Sequence, residues 1–251
     1  DLVTGVQTCA LPIFFAKGIR YVTLAHSKSN HISDSSYDEN EQWQGLSDFG
    51  KELVPELNKH GVMIDISHLS DLAANQVLEM SKTPVIASHS SLRHFVPGFH
   101  RNMTDEMVMA LAKNGGVLQI NFGSGFISAE SRQWANDRTA AVDAYKTANN
   151  IPDGDDRLRV FAGEWADAHP YPFANTDFVL DHIDRTVELA GIDHVGLGSD
   201  YDGVGDTLPE GLKDVSTYPN LVRGLMDRGY SEADIRKVLG ENLMRVWQAN
   251  E

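Results

Sequence analysis

The sequence predicts an α/β fold assembled from parallel strand–helix units, and therefore either a doubly wound sheet or a barrel. Three observations predict it. Five short segments are apolar or β-branched and end in polar residues, as strands buried on both faces do. Helical stretches with readable caps separate them. Neither a domain linker nor an internal repeat interrupts the 251 residues.

The strands are Tyr21–Leu24, Val62–Ile66, Val85–Ala87, Val117–Asn121 and Val195–Gly198. Between the first two, a helix is predicted over Ser47–Lys59, ending before Gly61, with Pro55 expected to bend it because proline removes a backbone donor. Ser70 is placed to cap Asp71–Met80. Thr104 caps the next helix, with Asp105 and Glu106 in its first turn and Gly115 past its end. Thr176 opens a helix running to about Ala190. Helices near Asn220–Arg228 and Ser231–Leu239 close the chain, with at least one turn after Gly240. The stretch Ser131–Asn175, polar and irregular in places, reads as a helical excursion over a barrel mouth. If Val195–Gly198 is the eighth strand of a (β/α)8 TIM barrel, the five are strands four to eight, and about the first three are missing. A five-stranded open sheet has the same pattern.

The segment Asp1–Ile13 stands apart. It shows no clear helix or strand period, holds the only cysteine, Cys9, and over Val3–Ile13 resembles the translation of a DNA-sequencing adapter. It is set aside as residues 1–13, leaving 14–251 as one partial barrel domain whose real start is expected upstream.

The balance of 21 basic and 36 acidic residues gives a formal charge of −15, which argues against nucleic acid or an anionic membrane as the main partner. No apolar run approaches the roughly 20 residues of a membrane-spanning helix. The polar end from Glu241 to Glu251 carries no lipid-anchor signal. One cysteine excludes an intrachain disulfide and leaves the compartment, cytoplasmic or exported, open.

Four strands end in a residue that could face a ligand: His26, His68, His89 and Asp200. In β/α barrels the active site is assembled from such positions at the C-terminal face. His68 and His89 are one strand–helix–strand step apart, so their strands are neighbours and both imidazoles can reach one zinc ion. Such sites usually want a third ligand. The pair His182 and Asp184 is a decoy, because i and i+2 on a helix do not share a face, and both are expected on the helix surface. Asp200 opens Asp200-Tyr201-Asp202-Gly203 and suits general acid/base work, although turn chemistry explains Asp202-Gly203. Arg101, before the Thr104 cap, is either a clamp for a substrate carboxylate or a solvated surface residue. His94, His100 and His169 are left without a role, and Trp43, Trp165 and Tyr171–Phe173 line a pocket or pack a lid.

These residues resemble the membrane (renal) dipeptidase family of zinc peptidases. The likeness runs from about Gly18 to Val246. It is carried by Gly45-Leu46-Ser47, Asp65-Ile66-Ser67-His68, Ser88-His89-Ser90-Ser91, Arg101-Asn102, Gly116–Phe122, Gly198–Gly203, Gly211–Pro219 and Glu241-Asn242. The resemblance implies a (β/α)8 barrel with two zinc ions, a dipeptide substrate and a homodimer. It implies that His68 and His89 hold the second zinc, and that His26 contacts substrate and stabilises the tetrahedral intermediate. Arg101 would bind the substrate carboxylate and Asp200 handle the proton. The family's H-x-D pair and bridging glutamate have no counterpart in this chain. As printed it is therefore expected to bind at most one zinc weakly, to hydrolyse dipeptides poorly and to be poorly soluble. The competing readings are another metal-dependent barrel amidohydrolase, to be separated by a substrate panel, and a non-catalytic peptide-binding barrel, which should not need metal.

Overall fold

In a computed structural model, which describes residues 10–251, all five strands lie in one parallel sheet. They are β1 (Tyr21–Thr23), β2 (Met63–Asp65), β3 (Ile86–Ser90), β4 (Val117–Ile120) and β5 (Val195–Leu197), in the spatial order β1-β2-β3-β4-β5. A doubly wound sheet reverses its strand order at a switch point. This sheet does not, so it is an arc of a barrel; among the described residues β1 and β5 are each paired on one side only.

The helices follow the chain: α1 (residues 10–16), α2 (Asp48–Lys59), α3 (Asp71–Met80), α4 (Asp105–Asn114), α5 (Ser124–Ile127), α6 (Ala129–Ala148), α7 (Asp156–Ala168), α8 (Thr176–Ala190), α9 (Tyr218–Asp227), α10 (Glu232–Arg236) and α11 (Asn242–Asn250). Side-chain caps explain where several begin. Ser47 accepts from Gly50 N, Ser70 from Ala73 N and Thr104 from Met107 N, each at 3.0–3.2 Å. Gly115 ends α4 in the left-handed conformation that glycine adopts freely. The cap of α8 is Asn175, not Thr176, which is its first helical residue. Helix α2 runs through Pro55 without ending there. The stretch predicted as a helical excursion holds most of α6 and all of α7.

Of the segment set aside at the start, residues 1–9 lie outside the described residues, but residues 10–13 are helical and Leu11 is buried in the core. Arg20 ties this helix down by donating to Phe15 O at 2.8 Å and lying 4.0 Å over the Phe15 ring. The absence of a readable period reflects how short the helix is, not a lack of packing.

Alternation along the strands sorts the core into two faces. Ile64, Ala87, Leu118 and Ile120 join Leu57, Val77, Leu111 and Ile183 between sheet and helices. Met63, Ile86 and Val117 face the concave side and pack against Val246 of α11. One strand step further on, the same face carries Thr23, Asp65, Ser88 and Gln119, a polar layer above the apolar floor. Asn242 locks the start of β5 by donating to Ile192 O and Val195 O at 2.7 and 2.8 Å.

His182 corrects the expectation of a surface residue. It is fully buried on α8, accepting from Leu92 N at Nδ1 (3.1 Å) and facing Ile127 O with Nε2 (3.3 Å). The i, i+2 spacing shows only that His182 and Asp184 do not share a face, not which face points inward. Asp184 lies on the outer side, taking Arg228 and, at 2.7 Å, Tyr230. Burial pushes the His182 pKa down to about 3, against about 6.5 in the unfolded chain. A depressed folded pKa contributes stability that is complete above 6.5 and is lost as the pH falls towards 3. Lowering the pH from 7 to 5 is expected to remove about 2 kcal/mol through this residue. Urea midpoints at both pH values should show a smaller acid loss in His182→Gln, and equal losses would refute the assignment.

Candidate active site

The structure brings the three strand-end histidines together. His26 follows β1, His68 follows β2 and His89 lies on β3. The rings of His26 and His68 stack with centroids 4.1 Å apart, and those of His68 and His89 are 4.9 Å apart. The Nε2 atoms of His68 and His89 meet at 2.9 Å. Backbone geometry aims these side chains. His68 has a φ of 71°, and the β3–β4 register shifts between Ala87 and Ser90, an irregularity of the kind that re-aims side chains beside active sites.

Hydrogen-bond bookkeeping assigns the protons. Asp65, fully buried at the end of β2, accepts four bonds. Ser67 N and Ser88 N reach Oδ1 at 2.9 Å, and the Thr23 and Ser88 hydroxyls reach Oδ2 at 2.6 Å. The single Ser88 hydroxyl hydrogen is thereby committed to Asp65. The 2.7 Å contact between Ser88 Oγ and His89 Nδ1 then requires the hydrogen to sit on Nδ1. His89 Nε2 is left with a lone pair facing His68. Burial, and after it the positive charge of Arg101, pushes His68 down to about 2 and lowers His89 as well, so both rings are neutral near pH 7.

Arg101 is not on the surface. It is 3% exposed, donating from Nη1 to Ser90 Oγ at 2.6 Å and from Nη2 to His89 O at 2.7 Å, and burial lowers its pKa. Asp200, three residues past the end of β5, has a φ of 58° and accepts from Asn121 Nδ2 at 2.8 Å. Its charge opposes the burial effect at His89. The Asp200 carbonyl also accepts from Gly203 N at 3.0 Å, so the turn reading holds for the residues after it.

Sequence reasoning missed four contributors. Asn121 positions Asp200, and Ser88 and Asp65 orient His89. The fourth, Tyr37, stands on a loop laced over the histidines: Ser36 N donates to His68 O at 2.8 Å, and Ser35 Oγ to His26 O. Asp34 shapes that loop by accepting from the backbone N–H groups of Gln42, Trp43 and Gly45. The run Ser33-Asp34-Ser35-Ser36 was a readable turn signal. The Tyr37 ring centroid is 5.8 Å from His68, and burial raises its pKa against the pull of Arg101 and Arg132. Tyr37, Phe99, Arg101 and Arg132 line a cleft of about 470 Å³. Trp165 instead packs against Trp134 within the excursion, and Trp43 donates to Asn30 O, as lid and loop packing require.

Two converging imidazole nitrogens, one with its lone pair fixed, fit a metal such as zinc as part of a site. Among the described residues no cluster of three or more His, Cys, Asp or Glu side chains could hold a metal by itself. None of the described helices is long and apolar enough to cross a membrane.

Known proteins resemble this chain over most of its length. Residues 4–251 match the sequence profile of the membrane dipeptidase family, peptidase family M19. Dipeptidase tcpJ from Claviceps purpurea (strain 20.1) is 34% identical over 242 residues, covering 96% of this chain and 47% of the relative. The chain thus spans about half the length of that curated relative. The probable dipeptidase PvdM from Pseudomonas aeruginosa superposes with a TM-score of 0.81 at 29% identity, covering 97% of this chain and 65% of that one. A metallo peptidase from Rhodobacter sphaeroides, liganded with a phosphinate mimic of the dipeptide L-Ala-D-Ala, gives 0.73 at 25% identity, covering 96% and 59%. A match over nearly its whole length, with the histidines gathered at the strand ends, means that this chain belongs to the membrane dipeptidase family, peptidase family M19.

Proposed function

We propose that this chain forms part of a zinc-dependent dipeptidase. In it His68 and His89 hold a metal ion, Arg101 takes the substrate carboxylate, His26 stabilises the oxyanion and Asp200 carries the proton to the leaving amine. The observation that carries the proposal is the meeting of two Nε2 atoms at 2.9 Å beside a buried guanidinium. The names of the relatives support the substrate class, since one is a dipeptidase and another holds a dipeptide mimic. A homodimer is the assembly that the family resemblance implies.

When bound, the ion supplies a Lewis acid and brings the pKa of a water nucleophile towards 7. The chain's own residues do the rest. Arg101 is fixed in its plane by Ser90 and His89 O, and each terminal nitrogen keeps a second N–H. Such a fork binds a carboxylate bidentately. Placed beside the histidines, it selects substrates whose free carboxylate lies one residue beyond the scissile bond. His26 Nδ1 is engaged by Ser27 Oγ at 2.7 Å, which leaves Nε2 to face the developing oxyanion, a contact worth about 3–4 kcal/mol. Asn121 holds Oδ2 of Asp200, leaving Oδ1 to take and return a proton.

The test uses the protein as its gene encodes it, supplied with zinc. Amidating the C-terminus of a good dipeptide substrate is expected to lower kcat/KM by roughly 10²-fold or more, because the buried Arg101 loses its anion. Asp200→Asn is expected to lower kcat by about 10²–10⁴-fold with little change in zinc content. Full turnover in Asp200→Asn would remove that residue from the mechanism. Peptide binding that survives chelation without any hydrolysis would favour a non-catalytic peptide-binding barrel.

A further inference from the structure

Asp65 is the one buried carboxylate at the strand ends that the proposed reaction leaves idle, yet it touches every strand that leads to a histidine. Thr23 comes from β1, three residues before His26. Asp65 itself ends β2, three residues before His68. Ser88 immediately precedes His89 on β3. Its four hydrogen bonds therefore knit three strand ends into one layer.

Outer hydrogen bonds that orient metal-bound imidazoles are general, and the usual partner is a carboxylate or a backbone carbonyl. Here a serine hydroxyl stands between carboxylate and imidazole. A hydroxyl alone has no preference, since it can donate to Nδ1 or accept from it. The carboxylate removes that freedom by taking the only hydroxyl hydrogen at 2.6 Å. We propose that Asp65, acting through Ser88, is a positioning residue that holds His89 as its Nδ1–H tautomer, so that the Nε2 lone pair is presented before any metal arrives. This rests on the reading of His89 as a metal ligand.

His68 has no such tether. Its Nδ1 is buried with no partner among the described residues, and its Nε2 faces the His89 lone pair at 2.9 Å. In the metal-free protein the hydrogen in that contact belongs to His68 Nε2. Zinc binding must move it to Nδ1, while His89 stays as it was. The two ligands thus differ: one is set in advance and the other rearranges.

The test is ¹⁵N NMR of the imidazoles in metal-free and zinc-loaded protein, with zinc affinity from calorimetry. The wild type is expected to show His89 protonated on Nδ1 in both states and His68 changing from Nε2–H to Nδ1–H when zinc is added. Ser88→Ala should release the His89 tautomer and weaken zinc binding by about 10–100-fold, the usual effect of losing an outer partner. Ser88→Thr, which restores the hydroxyl, should recover both. His89 found as Nε2–H in the metal-free wild type would overturn the proposal. So would Ser88→Ala with unchanged tautomer and affinity. His89→Ala separates the two readings: if it leaves zinc affinity intact, the metal assignment fails, while the metal-free spectra still decide whether Asp65 and Ser88 set the tautomer.

Discussion

In the protein as its gene encodes it, replacing His89 by alanine is expected to weaken zinc binding by more than about 100-fold and to abolish the proposed dipeptide turnover, with the fold intact. Loss of an outer partner of a metal ligand already costs roughly 10–100-fold, and this change removes the nitrogen itself. The fold is spared because, among the described residues, the His89 side chain hydrogen-bonds only to its neighbours at the strand ends, His68 and Ser88. The helix-facing core beneath β3, with Val85 and Ala87 fully buried, is untouched. Unfolding midpoints within about 1 kcal/mol of the wild type, alongside lost zinc binding, are the expected pair of results. His68→Ala should behave in the same way. Wild-type zinc affinity in either variant would mean that the 2.9 Å contact is a hydrogen-bonded histidine pair and nothing more.

Gly198→Ala is expected to be the most destabilising single methyl that the site can receive. A Cβ at residue 198 would be driven into the carbonyl oxygen of Ser88 and would lie 2.8 Å from that of Gln119. Those oxygens belong to β3 and β4, and strand backbone cannot swing aside as a flexible side chain does. The cost is placed at about 3 kcal/mol, the upper end for overpacking. The register shift after Ala87 lies in the segment that brings Ser88 O against Gly198, so relief of the clash must move either β5 with Asp200 or the segment carrying His89. Both the urea midpoint and zinc affinity should therefore fall together. A variant as stable as the wild type would mean that the strands are less tightly held at this edge.

The strand–helix alternation and its caps were legible because each depends on local chemistry. Ser70 and Thr104 cap as their side chains dictate, and the apolar runs of β2 and β4 have no other good use. The strand order was not legible, since pairing depends on contacts far apart in the sequence; only the paired registers separate a barrel arc from a doubly wound sheet. Among site residues, the strand-end histidines could be found by position alone. Asp65, Ser88 and Asn121 could not, because their role is defined by the side chain each one touches, 79 residues away in the case of Asn121 and Asp200. The error at His182 has the same root: a helix pattern gives relative faces but not which one the rest of the protein covers.

His68 and Asp200 hold their backbones in the left-handed region, at φ values of 71° and 58°. That conformation costs a residue with a side chain about 1 kcal/mol or more relative to glycine. At both positions, therefore, the chain accepts a less stable backbone in return for where the side chain is sent, His68 against His89 and Asp200 against Asn121. Under the proposed function, selection for the reaction has to keep renewing that arrangement. In a lineage released from it, the same two positions become the ones where drift towards glycine is thermodynamically downhill. A descendant that had lost the proposed reaction would show the loss at residues 68 and 200 while the helix caps and the apolar floor were still unchanged.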